Sequence, residues 1–101
     1  MTNSYIALDL ETTGLEARLD KITEIAALRV EDGRVEERFV TLVNPGRQLG
    51  ERITALTGIT DDMVKDAPVI EDTIGDVVRF CGNLPLLGHN ILFDYAFLKR
   101  A

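Results

Sequence analysis

Two acidic residues, Asp9 and Glu11, end the first apolar segment of the chain, in the stretch Asp-Leu-Glu-Thr-Thr-Gly at 9–14. The run before them, 5–8, predicts a buried strand. Residues two apart on a strand point to the same face, with Cβ atoms roughly 6–7 Å apart. Carboxylates so placed repel each other and lose hydration, and a divalent cation between them removes both costs. Because Mg²⁺ takes oxygen ligands, often one or two carboxylates, the pair is a candidate metal site.

The pair has an ordinary alternative, because acidic residues are common at solvated strand ends and a lone D-x-E motif carries little information. Thr12, Thr13 and Gly14 follow directly. We expect them to break the strand and to present hydroxyls and a flexible backbone beside the acids. Whether the acids do chemistry therefore depends on what the rest of the chain brings to them.

A third carboxylate, Asp94, lies in a segment that predicts a helix over 91–101. Ile91, Tyr95 and Leu98 form an apolar stripe at i, i+4 and i+7 spacing. Asp94 comes three residues after the first of these and four before the last, so it lies on the same stripe. A carboxylate on the core-facing side of a helix needs a partner.

Asp9 and Glu11 can be partners of Asp94 only with a cation between the three, which makes a metal site more credible than either segment alone. The alternative is that the positive end of the helix stabilises Asp94. The neighbouring His89 is expected to be structural, because imidazole is an unusual ligand for Mg²⁺.

The elements that must position these residues follow from hydrophobic periodicity and turn residues. Apolar residues on both faces of 22–31 predict a central strand, and Asp32-Gly33 predicts a hairpin turn. A helix over 70–81 carries the apolar stripe Ile70, Ile74, Val77, Val78 and Cys81. Strands are predicted at 5–11, 22–31, 34–43 and 85–89. Helices are predicted at 51–57, with Gly58 as the C-terminal stop, in a short segment after the N-cap Thr60, at 70–81, and at 91–101 after the N-cap Asn90.

This order predicts one α/β domain over 1–101, with a mixed sheet, flanking helices and strand one in the centre. The 101 residues carry a net charge of −6, which counts against nucleic-acid binding unless metal supplies positive charge locally. No apolar run is long enough to span a membrane, and the sequence does not open with the charged and then long apolar segments typical of a signal peptide, so we do not expect secretion. Cys81 is the only cysteine; we expect it to be a packing residue, and the chain to be cytoplasmic.

Four segments of the chain resemble the motifs of one enzyme family, in the right order and over essentially the whole length. The chain is similar to the DEDD (DnaQ-like) 3′→5′ exonucleases, in particular the bacterial DNA polymerase III epsilon-like proofreading exonucleases. The segments are D-L-E-T-T-G-L at 9–15, I-T-E-I-A-A-L at 22–28, I-T-A-L-T-G-I-T at 53–60 and G-H-N-I-L-F-D-Y-A-F-L at 88–98.

The resemblance implies a ribonuclease H-like fold and a site that holds two Mg²⁺ or Mn²⁺ ions. By matching position, Asp9 would bridge both metals, Glu11 would bind the first, and Asp94 would be associated with the second. These three would be the catalytic acids. The residues that receive the 3′-terminal nucleotide and the strand leading to it would be Thr12, Thr13, Gly14, Leu15, Leu56, Thr57, Asn90 and Phe93.

One departure from the family pattern concerns its third motif, which supplies a His or Tyr and a fourth Asp further along. The sequence ends at Ala101, inside the helix that bears Asp94, so we expect a C-terminally incomplete exonuclease domain carrying motifs I and II, with weak or no activity alone. The face left uncovered would then invite self-association or another chain.

The resemblance implies single-stranded DNA 3′ ends as substrate, with DNA polymerase subunits as partners in replication. An RNA-directed 3′→5′ exoribonuclease and a non-catalytic module that binds nucleic-acid ends or a polymerase are the alternatives.

Overall fold

The computed structural model describes residues 3–88 and 91–100, without the side chains of Leu92 and Phe93. The predicted N-cap Asn90 and the structural role expected of His89 therefore lie outside the described residues. The strands are β1 (Ser4–Thr12), β2 (Ile22–Glu31), β3 (Arg34–Leu42) and β4 (Leu86–Leu87). The helices are α1 (Gly50–Thr57), α2 (Asp61–Val64), α3 (Ile70–Cys81) and α4 (Ile91–Arg100).

The strands form one mixed sheet in the order β3-β2-β1-β4. β2 pairs antiparallel with both β1 and β3, whereas β4 pairs parallel with β1. The Asp32-Gly33 turn joins β2 to β3, and both residues have positive φ, 49° and 81°, as a two-residue hairpin of this type requires. β1 is therefore a central strand, as predicted, and it carries the candidate acids Asp9 and Glu11.

The core lies between one face of the sheet and helices α3 and α4. Ile6, Leu8 and Leu10 alternate along β1 and are buried in it, together with Ile22, Ile25, Ala27, Val43, Val77 and Phe97. α4 packs on β1 and α3 on β2. The guanidinium of Arg29 lies 4.9 Å from the ring centre of Phe80 and donates to its carbonyl oxygen at 2.8 Å, which fastens the end of α3 to the sheet.

Most predicted element bounds are confirmed, and so are the predicted helix caps Gly58 and Thr60. α1 ends at Gly58, in the left-handed conformation with φ 79°, and Thr60 caps α2 by accepting from the Met63 amide. β4 is shorter than predicted. Cys81 packs against the core and burial raises the pKa of its thiol, as expected of a packing residue.

The predicted helix stripes are wrong at two positions. Val78 is 62% exposed and Tyr95 is 52% exposed, so neither faces the core. In α3 the buried residues are Thr73 and Val77, four apart. In α4 they are Asp94 and Phe97, three apart, so the buried face is turned toward Asp94. Among the described residues, no helix is long and apolar enough to cross a membrane.

Candidate functional site

The acid pair of β1 lies on the face of the sheet opposite the core. Leu8 and Leu10 are buried on the core side, whereas Asp9 is exposed and Glu11 half-buried. This alternation is the period-two pattern predicted from the sequence. Pairing with β2 sets Glu24 directly across from Glu11, so a further carboxylate joins the neighbourhood of the pair.

The second half of β1 has an open edge, and α4 brings Asp94 to it. β4 pairs only with Ile6 and Ala7, so from Leu8 onward that edge has no strand partner within the described ranges 3–88 and 91–100. Gly88 lies at this open edge, between β1 and Asp94: a Cβ there would lie 2.7 Å from the Leu8 carbonyl oxygen and 3.6 Å from Oδ2 of Asp94. The Asp94 carboxylate therefore lies beside the β1 backbone that leads into Asp9.

Burial and neighbouring negative charges act on two of the three acids, Glu11 and Asp94. Burial raises the pKa of Glu11, and the charges of Asp9, Glu24 and Asp94 raise it further. The pKa of Asp94 is raised by burial first and then by the Asp9 charge. Asp94 is only 5% exposed, so water screens its charge poorly. Neighbouring negative charge thus makes ionisation of Glu11 and Asp94 more costly, which is the situation that a bound cation relieves.

The donor set suits a hard divalent cation, although the side chains do not yet enclose one. Across residues 3–88 and 91–100, no three acidic, histidine or cysteine side chains converge closely enough to hold a metal ion as they stand. The ion pairs in that same part of the chain are Arg29–Glu37, Lys65–Asp62 and Arg79–Asp76, and none includes Asp9, Glu11 or Asp94. Carboxylate oxygens without a cationic side chain are the ligands Mg²⁺ and Mn²⁺ take.

The loop after the acids is held by hydrogen bonds instead of being flexible throughout. The Thr12 hydroxyl donates to the Gly14 carbonyl oxygen at 2.6 Å, and the Thr13 amide donates to the Lys21 carbonyl oxygen at 2.8 Å. Leu15, by contrast, is 84% exposed. The loop thus presents an apolar side chain and a fixed backbone close to the end of β1.

The remaining candidates for substrate contact lie on α1 or outside the described residues. Leu56 is 79% exposed. The Thr57 hydroxyl donates to the Ile53 carbonyl oxygen at 2.9 Å and accepts from the Ile59 amide at 3.1 Å, so it closes the end of α1. Asn90 and the side chain of Phe93 lie outside the described residues, and their substrate-binding roles stay predictions.

Sequence reasoning assigned no role to three residues that shape this site. Glu24 is the lone charge within the apolar run 22–28, a signal that could have been used. Gly88 is needed because the β1 backbone approaches it closely, and Asp20 packs against Gly14. These last two contacts join residues distant in sequence or on opposite sides of a loop, so no local pattern reveals them.

Comparison with known proteins identifies relatives along nearly the whole chain. Residues 6–101 match the RNase_T family model, described as Exonuclease. DNA polymerase III PolC-type of Bacillus subtilis is 45% identical over 98 residues, which cover 97% of this chain and 7% of that relative. The corresponding protein of Thermotoga petrophila is 36% identical over 96 residues, 95% of this chain and 7% of its own length. The chain therefore spans about 7% of the length of these curated relatives.

Solved structures agree with this assignment of the fold. Exonuclease X in complex with 5′ overhanging duplex DNA matches with a TM-score of 0.78 and 34% identity, covering 92% of this chain and 52% of that one. Product-bound exonuclease I matches with a TM-score of 0.82 over 95% of this chain and 24% of that one. At 21% identity the latter bears on the fold alone. The predicted ribonuclease H-like mixed sheet is confirmed.

Proposed function

We propose a function for this chain on the basis of its family. The chain belongs to the RNase_T exonuclease family, whose model matches residues 6–101. The proposed activity is metal-dependent 3′→5′ removal of nucleoside monophosphates from DNA ends, as the exonuclease part of a longer, cytoplasmic replication polymerase. The PolC-type names of the relatives support the polymerase context. The solved complex of exonuclease X with 5′ overhanging duplex DNA supports DNA as the substrate.

The single observation that carries the proposal is that acids from two distant segments act electrostatically on one carboxylate, Glu11. Asp94 comes from α4, Asp9 and Glu11 come from β1, and the charges of Asp9 and Asp94 both raise the pKa of Glu11. Burying a carboxylate beside two others costs free energy. A cation bound between these acids would offset that cost, which supports a metal site here.

In this proposal Asp9, Glu11 and Asp94 hold the divalent ions, Mg²⁺ or Mn²⁺. Two such ions supply activation of a water molecule and stabilisation of the leaving 3′-oxygen when bound. The chain's own residues orient the substrate: the loop Thr12–Leu15 receives the terminal nucleotide, and the exposed Leu15 and Leu56 offer apolar surface to its base. The overall charge of −6 confines favourable contact with a phosphate backbone to the region of the ions.

Metal binding and its dependence on the acids test the proposal directly. Mn²⁺ is titrated calorimetrically into the wild-type chain, Asp9→Asn and Glu11→Gln, with Asp66→Asn as the control. Asp66 is an exposed aspartate in the turn between α2 and α3, so it matches the change in charge but not the location. We expect both site variants to weaken Mn²⁺ binding by roughly tenfold or more, and the control to leave it within about twofold.

The direction of digestion is read with the same proteins and a 5′-labelled single-stranded DNA. A 3′→5′ exonuclease shortens the labelled strand one nucleotide at a time, whereas a DNA with a blocked 3′ end stays intact. A matching RNA strand separates the exoribonuclease alternative from the proposal. Absence of Mn²⁺ binding in the wild type, or equal binding by Asp9→Asn, would remove the metal-dependent function. Metal binding with DNA binding but no digestion would favour the non-catalytic module.

A further inference from the structure

The loop between β1 and β2 is closed by one side chain, Asp20, which belongs to none of the four motif segments. Its Oδ1 accepts from the Thr13 hydroxyl at 3.1 Å, and its Oδ2 accepts from the Glu16 amide at 3.0 Å. The Asp20 amide in turn donates to the Glu16 carbonyl oxygen at 2.7 Å. A single carboxylate thus joins both sides of the segment Thr13–Glu16.

The Asp20 carboxylate lies in the space that a side chain at Gly14 would need. A Cβ at Gly14 would lie 2.4 Å from Oδ2 of Asp20 and 2.7 Å from Oδ1, so the Asp20 carboxylate would have to move away from its hydrogen-bond partners to make room for it. Gly14 does not have a positive φ, so backbone conformation does not require glycine there. The close approach of Asp20 does.

The consequence is a set of backbone donors left over at the tip of the loop. The Glu16 amide donates to the Asp20 carboxylate, and the Thr13 amide donates to the Lys21 carbonyl oxygen. Between them, the amides of Gly14 and Leu15 donate to no other residue in the part of the chain that the structure describes. Neutral N–H groups held in a fixed loop favour an oxygen-rich, anionic ligand, and the loop follows directly on the acids of β1.

We propose that Asp20 is a positioning residue: it holds the Thr13–Glu16 loop so that the Gly14 and Leu15 amides face the terminal nucleotide of the substrate. This inference rests on the proposed function, because the loop needs a nucleotide to receive. Asp20 contacts neither the ions nor the substrate. It acts through the Thr13 hydroxyl, the Glu16 amide and the space above Gly14, and its loss weakens nucleotide binding while leaving metal binding intact.

Two variants separate the geometry of Asp20 from its charge. Asp20→Ala removes both accepted hydrogen bonds, whereas Asp20→Asn removes the charge and keeps one carbonyl oxygen as an acceptor. The probes are Mn²⁺ alone and deoxythymidine monophosphate in the presence of Mn²⁺, both titrated into ¹⁵N-labelled protein. Asp66→Ala serves as the control for loss of an exposed aspartate.

We expect Asp20→Ala to weaken the mononucleotide by roughly tenfold, the usual scale for losing hydrogen bonds to a charged group. Asp20→Asn should lie between Asp20→Ala and the wild type, and all three should bind Mn²⁺ within about twofold of each other. In the wild type the Gly14 and Leu15 amide signals shift with the mononucleotide. Hydrogen exchange of the Glu16 amide becomes faster in Asp20→Ala, because its acceptor is gone.

A double-mutant cycle adds a readout that a merely structural role would not move. Gly14→Ala should weaken the mononucleotide less in the Asp20→Ala background than in the wild type, because the side chain that collides with the new methyl group has been removed. If Asp20→Ala does not fold, Asp20→Asn decides. Weaker mononucleotide binding with unchanged Mn²⁺ binding supports the inference, and unchanged mononucleotide binding overturns it.

The outcomes distinguish the inference from the function on which it rests. A wild type that binds Mn²⁺ and the mononucleotide, with Asp20 variants that bind both equally well, overturns the inference and leaves the function standing. Equal losses in Asp20→Asn and Asp20→Ala also overturn it, since charge and not geometry would then matter. A wild type that binds neither probe overturns both.

Discussion

Neutralising Asp94 tests whether the buried carboxylate is kept for a cation. Asp94 is 5% exposed, its pKa is raised by burial and by Asp9, and its Oδ2 lies near Gly88. Asparagine has the same shape without the charge. In the absence of metal, Asp94→Asn should therefore stabilise the protein at pH 7, whereas most substitutions of buried residues destabilise.

The magnitude follows from the burial and from the two neighbouring acids. Removing an unpaired, buried charge is expected to raise the free energy of unfolding by about 1–2 kcal/mol. For a domain of this size that is an increase in melting temperature of roughly 5–10 °C. With Mn²⁺ at about 100 times its Kd, the wild type gains about 2.7 kcal/mol by linkage, and the variant gains little. The order of stability should reverse.

The assay is thermal unfolding of the wild type, Asp94→Asn and the control Asp66→Asn, each with a chelator and then with saturating Mn²⁺. The control changes the same chemical group at an exposed turn and should unfold within about 0.5 kcal/mol of the wild type in both conditions. An Asp94→Asn variant that is less stable than the wild type without metal refutes the reasoning about its buried charge. An equal gain of both proteins on adding Mn²⁺ refutes the role of Asp94 as a ligand.

Three further predictions follow from the same region and its surroundings. First, the raised pKa values of Glu11 and Asp94 mean that the folded state keeps protons that the unfolded state releases above about pH 4. The free energy of unfolding of the wild type should therefore fall as pH rises above about 4. The double variant Glu11→Gln with Asp94→Asn lacks both carboxylates, so its advantage over the wild type in urea unfolding should grow with pH; a constant difference would contradict this. Second, Gly88→Ala sets a Cβ against the Leu8 carbonyl oxygen and should destabilise by about 1–3 kcal/mol. The control Gly75→Ala, inside α3 and near only the Arg79 side chain, should stabilise by up to about 1 kcal/mol. Third, the Thr23 hydroxyl is fully buried without a hydrogen-bond partner among the described residues, so Thr23→Val should stabilise by about 1 kcal/mol. Thr73→Val should destabilise by a similar amount, because its hydroxyl donates to the Val69 carbonyl oxygen at 2.9 Å; the same sign for both would contradict the reasoning.

Local chemistry determined the elements and the acid pair from the sequence alone. The alternation along β1 requires Asp9 and Glu11 to share a face, since strand periodicity is set by the backbone. Asp32-Gly33, Gly58 and Thr60 end or begin elements through their own φ preferences or hydroxyls, so the turn and both caps could be predicted. The bounds of β2 and α3 match the prediction for the same reason.

The sequence predicted the rotation of each helix about its axis less accurately than it predicted where the helices begin and end. In α4, the residues 91, 94 and 98 fit the apolar stripe, but Phe97 is buried and Tyr95 is exposed. Leucine, tyrosine and phenylalanine all suit a helix face that meets a core, so periodicity leaves the direction of the stripe open by one residue. Packing against β1 decides it, and that packing also decides how deeply Asp94 is buried.

The sequence by itself determined the chemistry available to this protein: three carboxylates in recognisable settings, a threonine- and glycine-containing loop, and an acidic chain with one packing cysteine. The tertiary structure decided where that chemistry is concentrated. The short β4 leaves the β1 edge open, Gly88 lets α4 approach it, β2 sets Glu24 opposite Glu11, and Asp20 closes the loop. Each of these depends on contacts between segments distant along the chain or across a loop, whose free energy no local pattern of residues encodes.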